Sequence, residues 1–107
     1  MLTKTQIAKI QKAGGSEGSL YPKLFNALGD PTRWQIFSLL VEYDDLCVTD
    51  LARVLNISVP AASQQLRILE LSGLVTPQRK GQSICYHVQE ANPATKSIIR
   101  LLQSIDS

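Results

Sequence analysis

Within "TDLARVLNISVPAASQQLRILELSG" (residues 49–73) two helices have to start and stop in a very short space. Thr49 can cap the first, and Asp50 suits the positive end of its dipole. Asn56 and Ile57 end it. Ser58 then caps a second helix, with Pro60 in its first turn and Gly73 at its close. Two helices joined by only about three residues, the second bearing small and amide side chains, have the pattern of a helix-turn-helix. No other stretch restricts the fold as much.

The flanking segments supply a core and a hairpin. Residues 2–13 form a candidate helix with Ile7 and Ile10 on one face, and "GGSEGS" (Gly14 to Ser19) reads as a flexible connector. Tyr21 to Leu28 is a second helix, with Pro22 tolerated in its first turn and Gly29 ending it. Asp30 caps and Pro31 opens the most apolar helix, whose Trp34, Ile36, Phe37, Leu39, Leu40 and Val41 make it the expected centre of the core. Beyond Gly73, "LVTPQRK" and "QSICYHV" flank Gly81. Ile84, Tyr86 and Val88 alternate with Ser83, Cys85 and His87, the period-two pattern of a strand. Asn92 caps and Pro93 opens a last helix, residues 93–106, with Ile98, Leu101, Leu102 and Ile105 on one stripe.

The bulk composition fits one such domain over residues 1–107. The chain has 107 residues, enough to bury one core without staples, and 44% apolar with 19% charged residues is an ordinary globular balance. No apolar run approaches the roughly 18 residues needed to span a bilayer. Lys4, Gln6 and Lys9 interrupt the N-terminal stretch, so no signal peptide is expected and the cytoplasm is the expected location. In that reducing compartment Cys47 and Cys85 are expected as free thiols, too few for a disulfide framework. The net charge of +2 and a pI near 8.7 are only permissive for a nucleic-acid partner. The distribution says more. Acids gather in "EYDD" (Glu42, Asp44, Asp45), and Arg79 and Lys80 stand together at the hairpin tip.

A helix-turn-helix followed by a basic hairpin is a winged helix, a mainly α fold with a two-stranded β wing. A helix fits the major groove of B-DNA with its N-terminal part against base edges and phosphates. A cationic hairpin beside it suits the phosphate backbone or minor groove. On the second helix Ala62, Leu66, Leu69 and Gly73 share an inward face. Ala61 and Gln64 then face outward, with Ser63, Gln65 and Arg67 on the flanks. Ile68 and Leu71 break this pattern and suggest a second half buried nearly all round, beneath the wing. Taken alone, "SQQLR" reads more readily as a solvated surface. The order of caps, helix, glycine and basic hairpin favours DNA.

"LFNALGDPTRWQIFSLL", "LCVTDLARVLNISVPAASQQLRILELSGLV" and "RKGQSICYHV" together resemble the ArsR/SmtB family of winged-helix transcriptional regulators, from about Leu24 to Val88. The resemblance implies a bacterial or archaeal homodimer, usually a repressor, that binds double-stranded DNA at an inverted-repeat operator and is released by an inducer, often a metal ion. It implies that Ser58, Val59, Ala61, Ser63 and Gln64 lie in or beside the major groove, and that Arg79 and Lys80 are wing contacts, with Arg67 placed for the backbone. It assigns dimerisation to the two terminal helices, with Ile98, Leu101, Leu102 and Ile105 as the seam and Ile7 and Ile10 alongside. Val59 departs from the polar residue frequent at its position and Ala61 is small, so direct base readout is sparse.

An enzyme has little support. His87 is the one histidine, no Ser or Cys has an obvious local base, and "GGSEGS" lacks the Lys-Ser/Thr pair of a phosphate loop. No cofactor is expected. A winged helix used only for protein contacts is a further alternative, which the cationic Arg79 and Lys80 disfavour. "LCVTDL" leaves three readings open. Metal-sensing relatives often carry Cys-x-Cys here, whereas Thr49 follows Cys47-Val48, and the last helix has no histidine. A soft-metal site would therefore need Cys47 to meet Cys85 and His87, with "LCV" as a short strand beside the wing. In the same arrangement the two thiols could form a reversible disulfide. The third reading makes both cysteines small, buried and unreactive. The inducer is not specified by any of these residues.

Overall fold

Trp34 stands on the helix that carries the core, yet the core is built from the other side of that helix. The computed structural model describes residues 1–14 and 20–106. Here α3 (Pro31–Tyr43) buries Ile36, Phe37 and Leu40, while Trp34 is 41% exposed. Its start is as expected: Asp30 accepts from the Arg33 N–H at 3.0 Å, with Pro31 at the first helical position. α2 (Tyr21–Leu28) lays Leu24, Ala27 and Leu28 against it.

α4 (Val48–Leu55) and α5 (Val59–Leu71) follow, joined through Asn56 in the left-handed region at φ 56°. Asn tolerates that conformation better than most residues, and its N–H and that of Ile57 return to the carbonyls of Arg53 and Ala52. The cap of α4 differs from the expectation. Cys47 occupies the N-cap position and donates its backbone N–H to the Asp50 carboxylate at 3.3 Å, leaving Thr49 inside the first turn. Extended backbone at Cys47 lets the carboxylate three residues on reach back, the half of a capping box that Thr49 as cap would have forfeited.

The sheet has three strands where two were expected. β1 (Leu46–Cys47) and β2 (Val75–Lys80) lie on either side of β3 (Ser83–Val88), all antiparallel. Leu46 faces Tyr86 and Cys47 faces Cys85. β2 is therefore an edge strand, which accommodates Pro77 opposite Tyr86. The β2–β3 turn has Gly81 at φ +62°, a conformation suited to glycine at a tight hairpin.

α6 (Pro93–Asp106) begins as expected, with the Ala94 N–H donating to the Asn92 carboxamide oxygen at 3.1 Å. Its apolar stripe divides. Ala94, Ile98, Ile99 and Leu102 are buried in the chain's own core, whereas Leu101 and Ile105 are 55% and 67% exposed. Buried Thr95 donates its hydroxyl to the Gly73 carbonyl at 2.9 Å and so ties α6 to the end of α5. α1 (Lys4–Gly14) buries none of its residues, and Ile7 and Ile10 are exposed. Beyond Gly14, the expected connector lies outside the described residues. Among the described residues no helix is long and apolar enough to cross a membrane.

Candidate nucleic-acid interface

α5 is fixed by its buried side and presents what remains. Ala62, Leu66 and Leu69 are fully buried at the spacing of one helical face. The opposite side leaves Ser58, Val59, Ser63, Gln64 and Arg67 exposed, with Ala61 half-buried at its margin. Ser58 accepts from the Ala61 N–H at 3.2 Å, so its hydroxyl oxygen caps the helix while the hydroxyl proton remains free to donate. Gln65 belongs to a different group. Its carboxamide oxygen accepts from Arg33 Nη1 at 3.0 Å, and Arg33 Nε donates to the Ala27 carbonyl at 2.7 Å. One guanidinium thus clamps α2, α3 and α5 together.

The second half of α5 corrects one expectation. Ile68 is half-buried on the core, but Leu71 is exposed rather than covered by the wing. Geometry explains this: the wing base pairs Val75 with Val88 and packs on the core beside Leu74, so the hairpin leaves the end of α5 instead of folding over it. Tyr86 reaches Glu70 of α5 at 3.5 Å. Burial pushes the Tyr86 phenol above its usual range, and the nearby Glu70 carboxylate adds to the rise.

The wing tip carries the cations that the sequence placed there. Arg79 faces Ile84 and Lys80 faces Ser83 across the hairpin, and all four are exposed. The two cations are not equivalent. Arg79 Nε donates to the Gly81 carbonyl at 3.3 Å, whereas Lys80 is ion-paired with Asp45 ahead of β1. Between α5 and the wing runs a groove walled by Val48 and Thr49, by Val59 and Ser63, and by Gln82, Ser83 and Ile84. Thr49 and Gln82–Ile84 were not anticipated on this surface. Thr49 had been assigned to capping, and strand alternation alone does not show which neighbouring helix a wing residue faces.

The cysteines meet. Cys47 and Cys85 are opposite each other in the β1–β3 ladder and are joined by a disulfide, which corrects the expectation of free thiols. "LCV" does begin with a short strand beside the wing. His87 does not join the pair. It lines an open pocket with Asp44, Asp45, Gln78, Val88 and Glu90. Among the described residues, no three His, Cys, Asp or Glu side chains group so as to hold a metal ion. A bonded sulfur is no thiolate ligand, so the arrangement does not build the Cys47–Cys85–His87 site.

Comparisons with known proteins agree with this architecture. The profile described as "Bacterial regulatory protein, arsR family" matches residues 30–76. The "Transcriptional repressor SmtB homolog" of Synechocystis sp. is 40% identical over 68 residues, 64% of this chain and 51% of that protein. The chain thus spans about half the length of that relative. An HTH-type transcriptional regulator of Methanocaldococcus jannaschii, MJ1325, is 32% identical over 83 residues, 78% of this chain and 91% of the other. Among solved structures, HlyU from Vibrio cholerae superposes with a TM-score of 0.74 at 27% identity, covering 85% of this chain and 96% of HlyU.

Proposed function

The chain belongs to the ArsR family of bacterial regulatory proteins, and from this we infer that it is a DNA-binding transcriptional regulator, a homodimeric repressor acting in the cytoplasm on an inverted-repeat operator. One observation carries the reading: Val59 and Ser63 of α5 face Gln82, Ser83 and Ile84 of the wing across one groove, with Ser58, Gln64 and Arg67 exposed along the same helix and its cap, and exposed Arg79 paired with Ile84 across the hairpin. A helix and a cationic hairpin so arranged can engage base edges and phosphates of one duplex together. Gln64 is the side chain suited to bidentate contact with adenine; Ser63 and Ser58 suit phosphate or base edges; Arg67 and Arg79 supply charge. Val59, exposed at the helix start, offers an apolar surface to a thymine methyl group.

Dimerisation is supported by the apolar side chains the protomer leaves open. Ile7 and Ile10 on α1 and Leu101 and Ile105 on α6 are exposed on the two terminal helices. Ile98 and Leu102, expected in the same seam, are buried in the protomer's own core, so the reading rests on the four exposed side chains. A two-fold protein matches a two-fold operator, and two copies of α5 would read two half-sites about one helical turn apart.

Selection of bound sequences from a pool of random duplexes, followed by titration of the recovered duplex, tests the reading. An inverted repeat bound by two protomers is expected. Recovery of no sequence preference, with no binding even at low salt, would defeat it.

A further inference from the structure

The Cys47–Cys85 bridge joins the two halves of the interface. Cys47 is the N-cap of α4, and Cys85 lies in β3, the central strand of the sheet. Their chain neighbours Val48 and Ile84 both line the groove between the helix-turn-helix and the wing. The bond therefore ties the start of the helix-turn-helix to the wing where the two approach each other. Without it, β1 offers only a two-residue ladder, Leu46 to Tyr86 and Cys47 to Cys85, beside the packing of Leu46 and Val48 on the core. The two residues also differ in burial. Cys47 is half-buried, whereas Cys85 is fully buried. The sequence contains two cysteines in all, Cys47 and Cys85.

We propose that Cys47 and Cys85 form a thiol–disulfide exchange site, reacting with low-molecular-weight disulfides and thiols, whose oxidation strengthens DNA binding by fastening the wing to α4. The inference rests on the DNA-binding reading above. In the oxidising direction the Cys47 thiolate attacks one sulfur of a small disulfide, forms a mixed disulfide and expels one small thiolate, which takes up a proton. The Cys85 thiol then loses its proton and attacks the Cys47 sulfur, expelling the second small thiol. Two protein thiols are oxidised and one small disulfide is reduced to two thiols. In reverse, a small thiolate attacks the sulfur of Cys47, the less buried residue, and releases the Cys85 thiolate, which takes up a proton.

The direction of the effect follows from ordering. α5 and the wing tip must contact one duplex at the same time, and a wing already held at fixed spacing loses less freedom on binding than a loosened one. The bonded form is expected to bind about tenfold more tightly. Coupling is reciprocal, so saturating DNA should displace the thiol–disulfide balance toward the bonded form by the same factor. For a two-electron couple, tenfold corresponds to about 30 mV.

The test equilibrates the whole chain with reduced and oxidised glutathione at graded ratios. Bond formation is read by mass after alkylation of free thiols. Affinity is read by fluorescence anisotropy on the selected duplex and on a random one, each protein state being measured separately. Expected are a reversible intramolecular bond, tighter binding of the bonded form, and a glutathione midpoint that moves when DNA is added. Cys47→Ser and Cys85→Ala should each bind like the reduced protein at every ratio. Should either variant fail to fold, the wild-type titration with and without DNA decides alone. Equal affinity of the two states, tighter binding of the reduced state, or no intramolecular bond at the most oxidising ratio overturns the switch and leaves the DNA-binding reading standing. Binding to neither duplex in either state overturns both.

Discussion

Arg33 of α3 donates from Nη1 to the side-chain oxygen of Gln65 on α5 at 3.0 Å, while its Nε donates to the Ala27 carbonyl at 2.7 Å. α5 is thereby oriented from behind by a planar cation that satisfies two elements at once. Arg33→Ala is expected to cost about 1.5–3 kcal/mol in urea unfolding, the range for hydrogen bonds to a charged group. Arg33→Lys should recover little, because an ammonium cannot reproduce the forked geometry. Gln65→Ala should weaken binding to selected and random duplexes alike, since Gln65 positions α5 and does not read bases. A loss confined to the selected duplex would place Gln65 in the groove instead.

The division of the α6 stripe gives a pair of contrasting substitutions. The double change Leu101→Glu and Ile105→Glu should yield a folded monomer, because both side chains are exposed in the protomer. Each leucine-sized side chain fully buried in a dimer contributes about 1.5–3 kcal/mol, so losing two per subunit is enough to dissociate it at micromolar concentration. Ile98→Glu should unfold the protein, since it buries a charge where Ile98 is 4% exposed. Light scattering and circular dichroism separate the two outcomes. A double variant that remains dimeric would move the seam away from α6.

The two wing cations should respond differently to removal. Arg79→Ala is expected to weaken binding to any sequence and to reduce the slope of log K against log salt by about 0.9, the signature of one lost phosphate contact. Lys80 is paired with Asp45, so Lys80→Ala should change the slope less. Asp45→Asn frees Lys80 and should steepen the slope relative to wild type. A slope unaffected by Arg79→Ala would remove the wing from the DNA.

The proposed base contact of Gln64 has its own signature. Gln64→Ala should narrow the gap between the selected and random duplexes by about 1–3 kcal/mol while leaving the salt slope unchanged. Competition titrations at fixed salt measure that gap. An unchanged ratio would mean that shape and backbone contacts supply the specificity.

The junction of α5 and α6 is held by Gly73, at φ +86°, with the Thr95 hydroxyl on its carbonyl. A Cβ on Gly73 would also stand 3.0 Å from the Asn92 side-chain nitrogen. Gly73→Ala is therefore expected to destabilise by about 1–2 kcal/mol from left-handed backbone strain alone. Thr95→Val should cost about 1–3 kcal/mol by removing the donor to the partly buried Gly73 carbonyl. Chemical denaturation checks both, and a stability change below a few tenths of a kcal/mol in either would show the junction to be loose.

The helix starts and the paired helices were legible in the sequence because caps and periodicity are local. Asp30, Ser58 and Asn92 each accept from a backbone N–H two or three residues on, a bond set by neighbours in the chain and independent of the rest of the molecule. The inward face of α5 was legible for the same reason, since Ala62, Leu66 and Leu69 repeat at the pitch of a helix. Cys47 shows where local reasoning gave way. Thr49 and Cys47 stand two residues apart as alternative caps, and Cys47 was taken into a strand by a partner lying 38 positions further along the chain.

Only the tertiary structure decided which apolar residues are spent inside and which remain. Ile98, Leu101, Leu102 and Ile105 form one stripe by sequence, yet the core covers Ile98 and Leu102 and leaves the other two open. Trp34 was left at the surface by the same limit, since α3 can turn only one face toward α2 and α5. The partners of Gln65, Lys80 and the cysteines were decided by the approach of Arg33, of Asp45 and of β1 to β3, each a meeting of residues distant in sequence. Period and capping are written into neighbouring residues; the identity of a long-range partner exists only once the chain has closed on itself.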